Sequence, residues 1–217
     1  MAARLECHGS YRKPTKSGRA TPRRSRSGAS LRGLFDDGFD PRPNLEAERI
    51  DQAGATLRLR TITGDDPGRL RTSAELRVDA QTGDRTFART FVRGSFDAPL
   101  GRGVAVSVTA AHGSAIGGEV PAQALWQIGG AATVRGQDPA AARGRDVTLA
   151  RAELSFGRPA LRLTAFGDYG YAGDSGPFAR DRTLRGAGVG ASLLGNLLRI
   201  DLARGSGWRM YFRVGAQ

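Results

Sequence analysis

The chain has 217 residues, of which 39% are hydrophobic and 7% aromatic, a composition that argues against disorder throughout. The formal net charge is +12, but the first 33 residues hold nine Lys or Arg and one Glu, a net charge of +8, which leaves +4 for residues 34–217. The basicity therefore belongs mainly to the amino-terminal segment and does not by itself indicate that the folded part binds nucleic acid. The 31 glycines follow no period of three, which excludes a collagen-like chain.

The amino-terminal residues 1–33 consist mainly of Lys, Arg, Ser, Gly, Pro and Thr and have no periodic apolar face. This composition predicts a disordered basic tail. The segment also lacks the apolar run of a secretory signal peptide, so we expect that an export signal was lost by truncation, with a missing amino-terminal portion. Residues 34–217 are predicted to form the folded part.

Apolar and polar residues alternate with a period of two from residue 55 onward, in blocks bounded by Gly, Pro, Asp or Asn. Such alternation is typical of β-strands with one apolar and one polar face. The blocks predict nine strands, at residues 55–62, 74–80, 86–96, 104–111, 147–156, 160–170, 183–193, 198–204 and 208–214. We therefore expect an all-β fold with antiparallel strands.

The predicted strands fit two architectures, a water-soluble sandwich and a membrane-spanning β-barrel. Large charged side chains occupy the polar face of nearly every block, as a water-filled lumen requires. The apolar face of the last block is aliphatic or aromatic throughout, with Trp208, Met210, Phe212 and Val214. No stretch approaches the roughly 20 apolar residues of a membrane-spanning helix, but a barrel crosses with alternating strands instead. The pattern favours an antiparallel transmembrane β-barrel that is incomplete, with about nine strands.

A long segment, residues 112–146, separates the fourth and fifth predicted strands and is expected to be an inward-folded loop. It contains the stretch 125–136, LWQIGGAATVRG, in which Gly129, Gly130 and Gly136 flank a Thr-Val-Arg sequence. Glycine lets the backbone turn sharply where residues with a Cβ would resist. We expect these three glycines to form the turns of the loop.

Two carboxylates, Glu153 and Asp168, follow the loop's Arg135, and alternation places both on the polar face of the next two strands. A guanidinium can donate charge-assisted hydrogen bonds to two carboxylates, and inside a lumen these bonds are screened less than on a surface. The alternative is an exposed loop with a solvated arginine. The order of the three residues favours a structural latch in which Arg135 binds Glu153 and Asp168 and holds the loop against the wall.

The stretch 125–136 resembles the long inward-folded loop of the bacterial surface antigen superfamily, in which a Gly-Gly is followed shortly by Val-Arg-Gly. In that family the loop arginine meets an acidic residue on each of the next two strands. Glu153 matches the first of these residues, and Asp168 matches the second within an Asp-x-Gly element. Ala150 stands where the family has the glycine of the first element.

The carboxyl-terminal segments 197–203 and 208–217 resemble the last two strands of the same family. Its members are outer-membrane β-barrels of sixteen strands that insert or secrete proteins, usually with POTRA domains before the barrel. The resemblance implies that this chain is the carboxyl-terminal part of an assembly factor or a two-partner-secretion transporter of the bacterial outer membrane. It also implies outer-membrane lipid and substrate polypeptides as partners, and no chemical turnover.

Two alternatives stay open beside this interpretation: a truncated fragment without function, and a soluble basic β-protein that binds nucleic acid. The Lys and Arg residues of the tail could bind phosphate, with an affinity that falls steeply as salt rises. The tail has no interleaved aromatic residue beyond Tyr11, however, and stacking on such residues supports much single-strand binding. We expect no specific nucleic-acid partner.

Motifs that would indicate an enzyme are scarce. The Gly-rich stretch lacks the Gly-Lys-Ser/Thr ending of a phosphate-binding P-loop, and no histidine pairs recognisably with a serine and an aspartate. Glu153 and Asp168 could imitate the carboxylate pair of a glycosidase, but the arginine upstream favours the latch. Cys7, His8 and His112 are too few for a metal cluster. We expect no enzyme, no catalytic residue, no cofactor and no metal.

Overall fold

The computed structural model describes residues 8–9, 52–64, 69–101, 103–158, 160–173 and 183–215. Apart from His8 and Gly9, the predicted basic tail lies outside these residues, and so does the segment 34–51. The described residues form an all-β fold in which every pair of neighbouring strands is antiparallel. The prediction of fold class is confirmed at this level.

The strands of the described residues are, in chain order, β1 (His8–Gly9), β2 (Gln52–Thr63), β3 (Arg71–Gly83), β4 (Phe87–Gly101), β5 (Val104–Ile116), β6 (Trp126–Ile128), β7 (Ala142–Gly144), β8 (Asp146–Arg158), β9 (Leu161–Gly173), β10 (Thr183–Leu193), β11 (Leu198–Arg204) and β12 (Trp208–Val214). Ten of them form one sheet in the order β1-β2-β3-β4-β5-β8-β9-β10-β11-β12. The other two, β6 and β7, pair with each other within the long loop, after a 3₁₀ turn at Ala122–Ala124. Strands that follow each other along the chain are therefore neighbours in space.

The nine long strands β2–β5 and β8–β12 coincide with the nine predicted blocks, although several ends differ by a few residues. The largest corrections concern β4, which ends at Gly101 instead of residue 96, and β5, which was expected to end at residue 111. Its pairing with β4 continues until Ile116 lies opposite Ala88, because alternation persists, with Gly113 and Ala115 buried and Ile116 exposed. The loop therefore spans residues 117–145. The short strands β6 and β7 were not predicted, since three residues are too few to display a period.

Alternation along the long strands gives the sheet two different faces. One face, which we call the polar face, carries the charged side chains and the loop 117–145. The other, which we call the apolar face, carries large hydrophobic side chains that are exposed. They are Leu57, Leu59, Leu76, Val92, Phe96, Val108, Leu154, Phe156, Leu161, Leu163, Val189, Leu193, Ile200, Leu202, Trp208, Met210, Phe212 and Val214. The apolar face thus has the composition of a protein interior without a cover among the described residues.

Charged side chains on the apolar face of the described strands stand at or near strand ends, and they are Asp146, Arg158, Arg185 and Arg204. The guanidinium of Arg204 lies over the ring of Trp208, 5.7 Å from its centre. Between these ends the face of the described sheet carries apolar, small or hydroxyl side chains and one histidine, His112. A band without charge therefore crosses all nine long strands.

The sheet is open in the described residues, since β1 and β2 form one border, β12 forms the other, and no ladder joins them. It is nevertheless curved. Arg199 on β11 contacts Glu153 on β8 at 3.0 Å, although two strands lie between them. Three strand spacings amount to about 14 Å in a flat sheet, so the polar face is concave here. None of the described residues belongs to a helix that is long and apolar enough to cross a membrane.

Candidate functional site

The candidate site lies where the loop 117–145 crosses the polar face of β8–β12. Four successive loop residues, 134–137, are buried. The predicted turn glycines all have positive φ, at 125° for Gly129, 82° for Gly130 and 81° for Gly136. A Cβ on Gly136 would also lie 2.5 Å from backbone atoms of the β11–β12 turn. Glycine at this position therefore lets the loop touch the turn directly.

The side chain at the centre of the site is Arg135, which is only 1% exposed. Its Nε and Nη2 donate to the two carboxylate oxygens of Asp168, both at 2.7 Å. Its Nη1 lies 2.7 Å from a carboxylate oxygen of Glu153. The backbone N–H of Arg135 also donates to Asp168, at 3.0 Å. The structure thus brings together the three residues of the predicted latch, and the bond to Asp168 has the bidentate geometry that is strong for this pair of groups.

A third carboxylate, that of Asp201 on β11, lies 3.4 Å from Nη1 of Arg135. A second arginine, Arg199, links it to the others. Arg199 donates to both oxygens of Glu153, at 3.0 and 3.1 Å, and to Asp201, at 2.9 and 3.1 Å. The acidic groups of the site are therefore shared between two guanidiniums, which offsets the desolvation that a buried charge would otherwise suffer.

A third arginine, Arg151 on β8, joins the loop to the same charges. Its Nη2 donates to the carbonyl oxygens of Ala131 and Thr133, at 3.2 and 3.1 Å, and its Nε lies 3.2 Å from Asp168. Three guanidiniums thus face three carboxylates, and their formal charges cancel. We call this group the latch cluster, and its members are Arg135, Arg151, Arg199, Glu153, Asp168 and Asp201.

Arg135 stays protonated and positively charged despite its burial. Burial by itself would lower the pKa of Arg135, because it removes water from the charged form. The hydrogen bonds and the negative charge of Asp168, together with the charge of Glu153, outweigh that effect and raise the pKa of Arg135 above its ordinary value. The guanidinium therefore remains a cation throughout the physiological range.

The sheet makes room for this cation through β10, whose polar-face residues beside the loop are Gly186, Gly188 and Gly190. A Cβ at these positions would overlap, in that order, the carbonyl oxygen of Arg135, the ring of Phe166 and the carboxylate of Asp201. The Phe166 ring lies beneath the guanidinium, with its centre 3.4 Å from Cζ of Arg135. The aromatic face adds a cation–π contact in a desolvated setting.

The loop continues from the latch cluster to the last strand of the sheet. The backbone N–H of Gly136 donates to the hydroxyl of Tyr211 on β12, at 2.9 Å. The side-chain amide of Gln137 donates to the carbonyl oxygen of Arg185, at 2.6 Å. Asp138 forms an ion pair with Arg209 of β12. The tip of the loop is therefore bound to residues of every strand from β8 to β12.

The start of the loop contacts the opposite half of the sheet by different means. The ring of Trp126 stacks on Phe91 of β4, with 5.4 Å between the ring centres. The guanidiniums of Arg77 and Arg89 lie 5.7 and 5.3 Å from the centre of the same ring. This end of the loop is held by the aromatic ring, by a hydrogen bond from Arg89 to the carbonyl oxygen of Ala124, at 3.0 Å, and by an ion pair between Arg85 and Glu119. Two residues beyond Trp126, Ile128 has returned to the half of the sheet with the latch cluster, where it packs with Val147 of β8 and Ala172 of β9.

Three further residues of the site, Arg151, Arg199 and Asp201, were not predicted from the sequence. All three occupy the polar positions of predicted strands, so alternation did place them on the correct face. Their contacts with the loop could not be read from the sequence, because 66 residues separate Arg135 from Asp201. Curvature of the sheet brings them together.

This arrangement is suited to holding the loop rather than to proton transfer, since arginines bind all three carboxylates. Of the two histidines, His112 lies on the apolar face and hydrogen bonds to Thr148, at 3.0 Å. In the part of the chain that the structure describes, no group of three or more His, Cys, Asp or Glu could hold a metal ion.

No protein-family model matches the chain, and no curated protein matches it. The resemblance to the bacterial surface antigen superfamily consequently rests on the sequence motifs alone.

Proposed function

We propose that this chain is the carboxyl-terminal wall of an outer-membrane β-barrel of the assembly or translocation type, which handles polypeptides and catalyses no reaction. The observation that carries the proposal is the burial of Arg135 between Glu153 and Asp168, because a loop arginine bound by acidic residues of the next two strands is what the resemblance implies. The latch cluster fixes the loop across the inner side of the wall. A fixed loop would define the space through which a polypeptide moves.

The apolar face supports a lipid environment. Seven of the nine long strands have 11 to 15 residues, which is enough for a tilted strand to cross the hydrocarbon core of a bilayer. Exposed apolar surface of this extent is rare on soluble monomers, whereas the outer surface of a membrane barrel requires it. The charged residues at the strand ends, such as Arg185 and Arg204, would lie at the level of the lipid headgroups.

The open border at β12 supports the handling of polypeptides. In the described residues no strand pairs with the outer side of β12, so its backbone N–H and C=O groups can receive another strand. A polypeptide that adds to this border would gain main-chain hydrogen bonds while its apolar side chains enter lipid. Such binding involves no covalent step, which agrees with the absence of an acid–base arrangement in the latch cluster.

The two tryptophans of the chain provide a test of the membrane setting. Trp208 lies on the apolar face and is 64% exposed, while Trp126 lies in the loop on the polar face. The single-tryptophan variants Trp126→Phe and Trp208→Phe would be reconstituted into vesicles of lipids brominated in the acyl chain next to the headgroup, because Trp208 lies directly opposite Arg204. We expect strong quenching of Trp208 fluorescence by the bromine and little quenching of Trp126. Equal quenching of both residues, or quenching of neither, contradicts the proposal.

The polypeptide partner requires a separate test. A photo-crosslinking residue at position 213 on β12 should capture a purified, urea-unfolded outer-membrane barrel protein added to the reconstituted chain. The same residue at position 77, in the interior strand β3, serves as the matched control. Capture at both positions, or equal capture of an unfolded water-soluble protein, argues against a polypeptide site at the border.

A further inference from the structure

The polar face has a second feature beside the latch cluster, at the end where short turns join the strands. There the sheet encloses an open cavity of about 730 Å³. The charged and hydroxyl side chains of its lining come from β3, β4, β5, β8, β9 and β11 and from the turn before β3. They are Arg69, Arg71, Asp97, Ser107, Glu153, Ser155, Arg162, Thr164 and Arg199. Its volume lies within the range of protein ligand sites.

The register of the strands concentrates positive charge beside this cavity. Arg162 on β9 lies opposite Ser192 of β10, which in turn lies opposite Arg199 of β11. Arg199 lies directly opposite Arg213 of β12. One row across four strands therefore holds three arginines and no carboxylate. Like charges in direct cross-strand positions, as at Arg199 and Arg213, destabilise a sheet. Glu153 and Asp201 compensate Arg199, which leaves Arg162 as the arginine of this row that lines the cavity without a carboxylate bound to it in the described residues.

The carboxylates near the row leave much of this charge without compensation. Glu153 is already shared by Arg135 and Arg199, while Asp97, across from Arg71 in the pairing of β3 with β4, makes no ion pair with Arg71 in the described residues. Within the residues that the structure describes, neither Arg162 nor Arg213 makes an ion pair. The cavity is therefore a place on the polar face where an incoming anion meets two guanidinium groups, those of Arg71 and Arg162, that make no ion pair with the described residues.

The lining also indicates the class of the anion. It contains no aromatic side chain on which a sugar ring or a nucleobase could stack. It does contain three hydroxyl groups, which can donate to or accept from peptide groups. Guanidinium groups match carboxylates in a bidentate manner. Carboxylate side chains on an extended backbone satisfy both requirements.

We propose that this cavity binds an acidic segment of a polypeptide, with carboxylate side chains on Arg71 and Arg162 and the peptide groups near Ser155 and Thr164. The proposal rests on the proposed function, which supplies a polypeptide on this side of the wall. It adds a preference: segments rich in Asp and Glu are retained at the short-turn end of the polar face.

The test is a titration of the full chain in neutral phosphatidylcholine vesicles with fluorescein-labelled hexaglutamate, followed by fluorescence anisotropy. We expect binding that weakens as salt rises, and no binding of labelled hexaglutamine. Arg162→Gln and Arg71→Gln should each weaken hexaglutamate binding roughly tenfold, since each removes one charge-assisted contact. Arg162→Lys should weaken it less, because the charge remains and only the fork is lost.

The matched control is Arg93→Gln, which removes an equal charge from the polar face at a residue outside the cavity lining. An equal loss of affinity in Arg93→Gln overturns the location of the site. Equal affinity for hexaglutamine overturns the preference for acidic segments. If inorganic phosphate displaces the labelled peptide at the same concentration as unlabelled hexaglutamate does, the occupant is a simple anion and not a polypeptide. Circular dichroism and the fluorescence of Trp126 report whether each variant keeps the fold.

The outcome is distinguishable from that of the proposed function. If brominated lipid quenches Trp208 but hexaglutamate does not bind, the acidic-segment site is refuted and the proposed membrane setting is supported. Binding of hexaglutamate that depends on Arg162, with Trp208 unquenched, supports the site and refutes the membrane setting.

Discussion

The loop 117–145 is attached to the two halves of the sheet by different chemistry. Toward β8–β12, the guanidinium of Arg135 is buried and bound to carboxylates of three strands. Toward β3 and β4, the ring of Trp126 lies against another ring and two guanidiniums, and no carboxylate binds it. The first attachment is a buried set of ion pairs. The second combines ring stacking with a hydrogen bond from Arg89 to the carbonyl oxygen of Ala124, at 3.0 Å, and an exposed ion pair between Arg85 and Glu119.

This difference predicts how each half tolerates change. A buried charge that loses its partner retains its desolvation penalty, so a single substitution in the latch cluster should have a large effect. A stacked ring that is replaced by another apolar side chain loses only part of its contact energy. The carboxyl-terminal half should therefore fix the position of the loop, and the other half should limit its motion less strictly.

The strongest test of this comparison is Arg135→Ala, which leaves Glu153 and Asp168 without their shared cation. We expect a loss of about 3–5 kcal/mol in the free energy of unfolding, the range for breaking one side of a buried ion pair. Urea unfolding of the reconstituted chain measures it. The variant should also show faster proteinase K cleavage within 117–145 and faster hydrogen exchange at the Gly136 amide.

Arg135→Lys is the control for charge alone, and it should recover only part of the loss because an ammonium cannot form the bidentate bond. If Arg135→Ala leaves both the cleavage rate and the Gly136 exchange rate unchanged, the latch does not hold the loop.

The next effect in size concerns the surface of β10 that receives the loop. Gly186→Ala introduces a Cβ that overlaps the carbonyl oxygen of Arg135, so the loop must move away. We expect a loss of about 2 kcal/mol from overpacking, measured by urea unfolding. The matched control is Gly167→Ala on the apolar face, where a Cβ meets no atom within 4 Å. Equal losses in the two variants would mean that glycine in the strand, rather than contact with the loop, is what matters.

The nine long strands could be predicted from the sequence, because each of them buries one side and exposes the other. Alternation then placed Glu153 and Asp168 on the polar face, and the Gly-Gly and Val-Arg-Gly elements identified Arg135 as their partner. Burial on one side fixes the register of a strand and hence the direction of every side chain, which is why a pattern with period two predicts faces well.

The rest of the site depends on contacts between distant strands, which the alternation of apolar and polar residues along one strand does not predict. Asp201 and Arg199 reach the latch cluster only because the sheet curves, and curvature is a property of several strands together. The role of Gly186 was hidden as well, since in the sequence it is one of many glycines in a weakly alternating block. The pairing of β6 with β7 arises from the packing of Trp126 and Ile128 rather than from local propensity.

The other end of the loop should respond more mildly. Trp126→Leu keeps an apolar side chain at the position but removes the ring that stacks on Phe91 and faces two guanidiniums. We expect a loss of about 1 kcal/mol in the free energy of unfolding, the sum that an aromatic pair and partly exposed cation–π contacts commonly contribute. The fluorescence of the remaining Trp208 follows the transition. A loss as large as that of Arg135→Ala would show that the two attachments are equivalent.

The smallest effect is expected at the rim of the site, where Arg209 binds Asp138. The two side chains are 32% and 34% exposed, so water screens their attraction. Arg209→Gln should reduce the free energy of unfolding by only about 0.5 kcal/mol, and a double-mutant cycle with Asp138→Asn isolates the pair. Added salt should reduce this coupling further, while it should leave the effect of Arg135→Ala nearly intact, because buried charges are screened much less than exposed ones. A coupling between Arg209 and Asp138 that exceeds the effect of Arg135→Ala would place the main anchor of the loop at β12 instead of at the latch cluster.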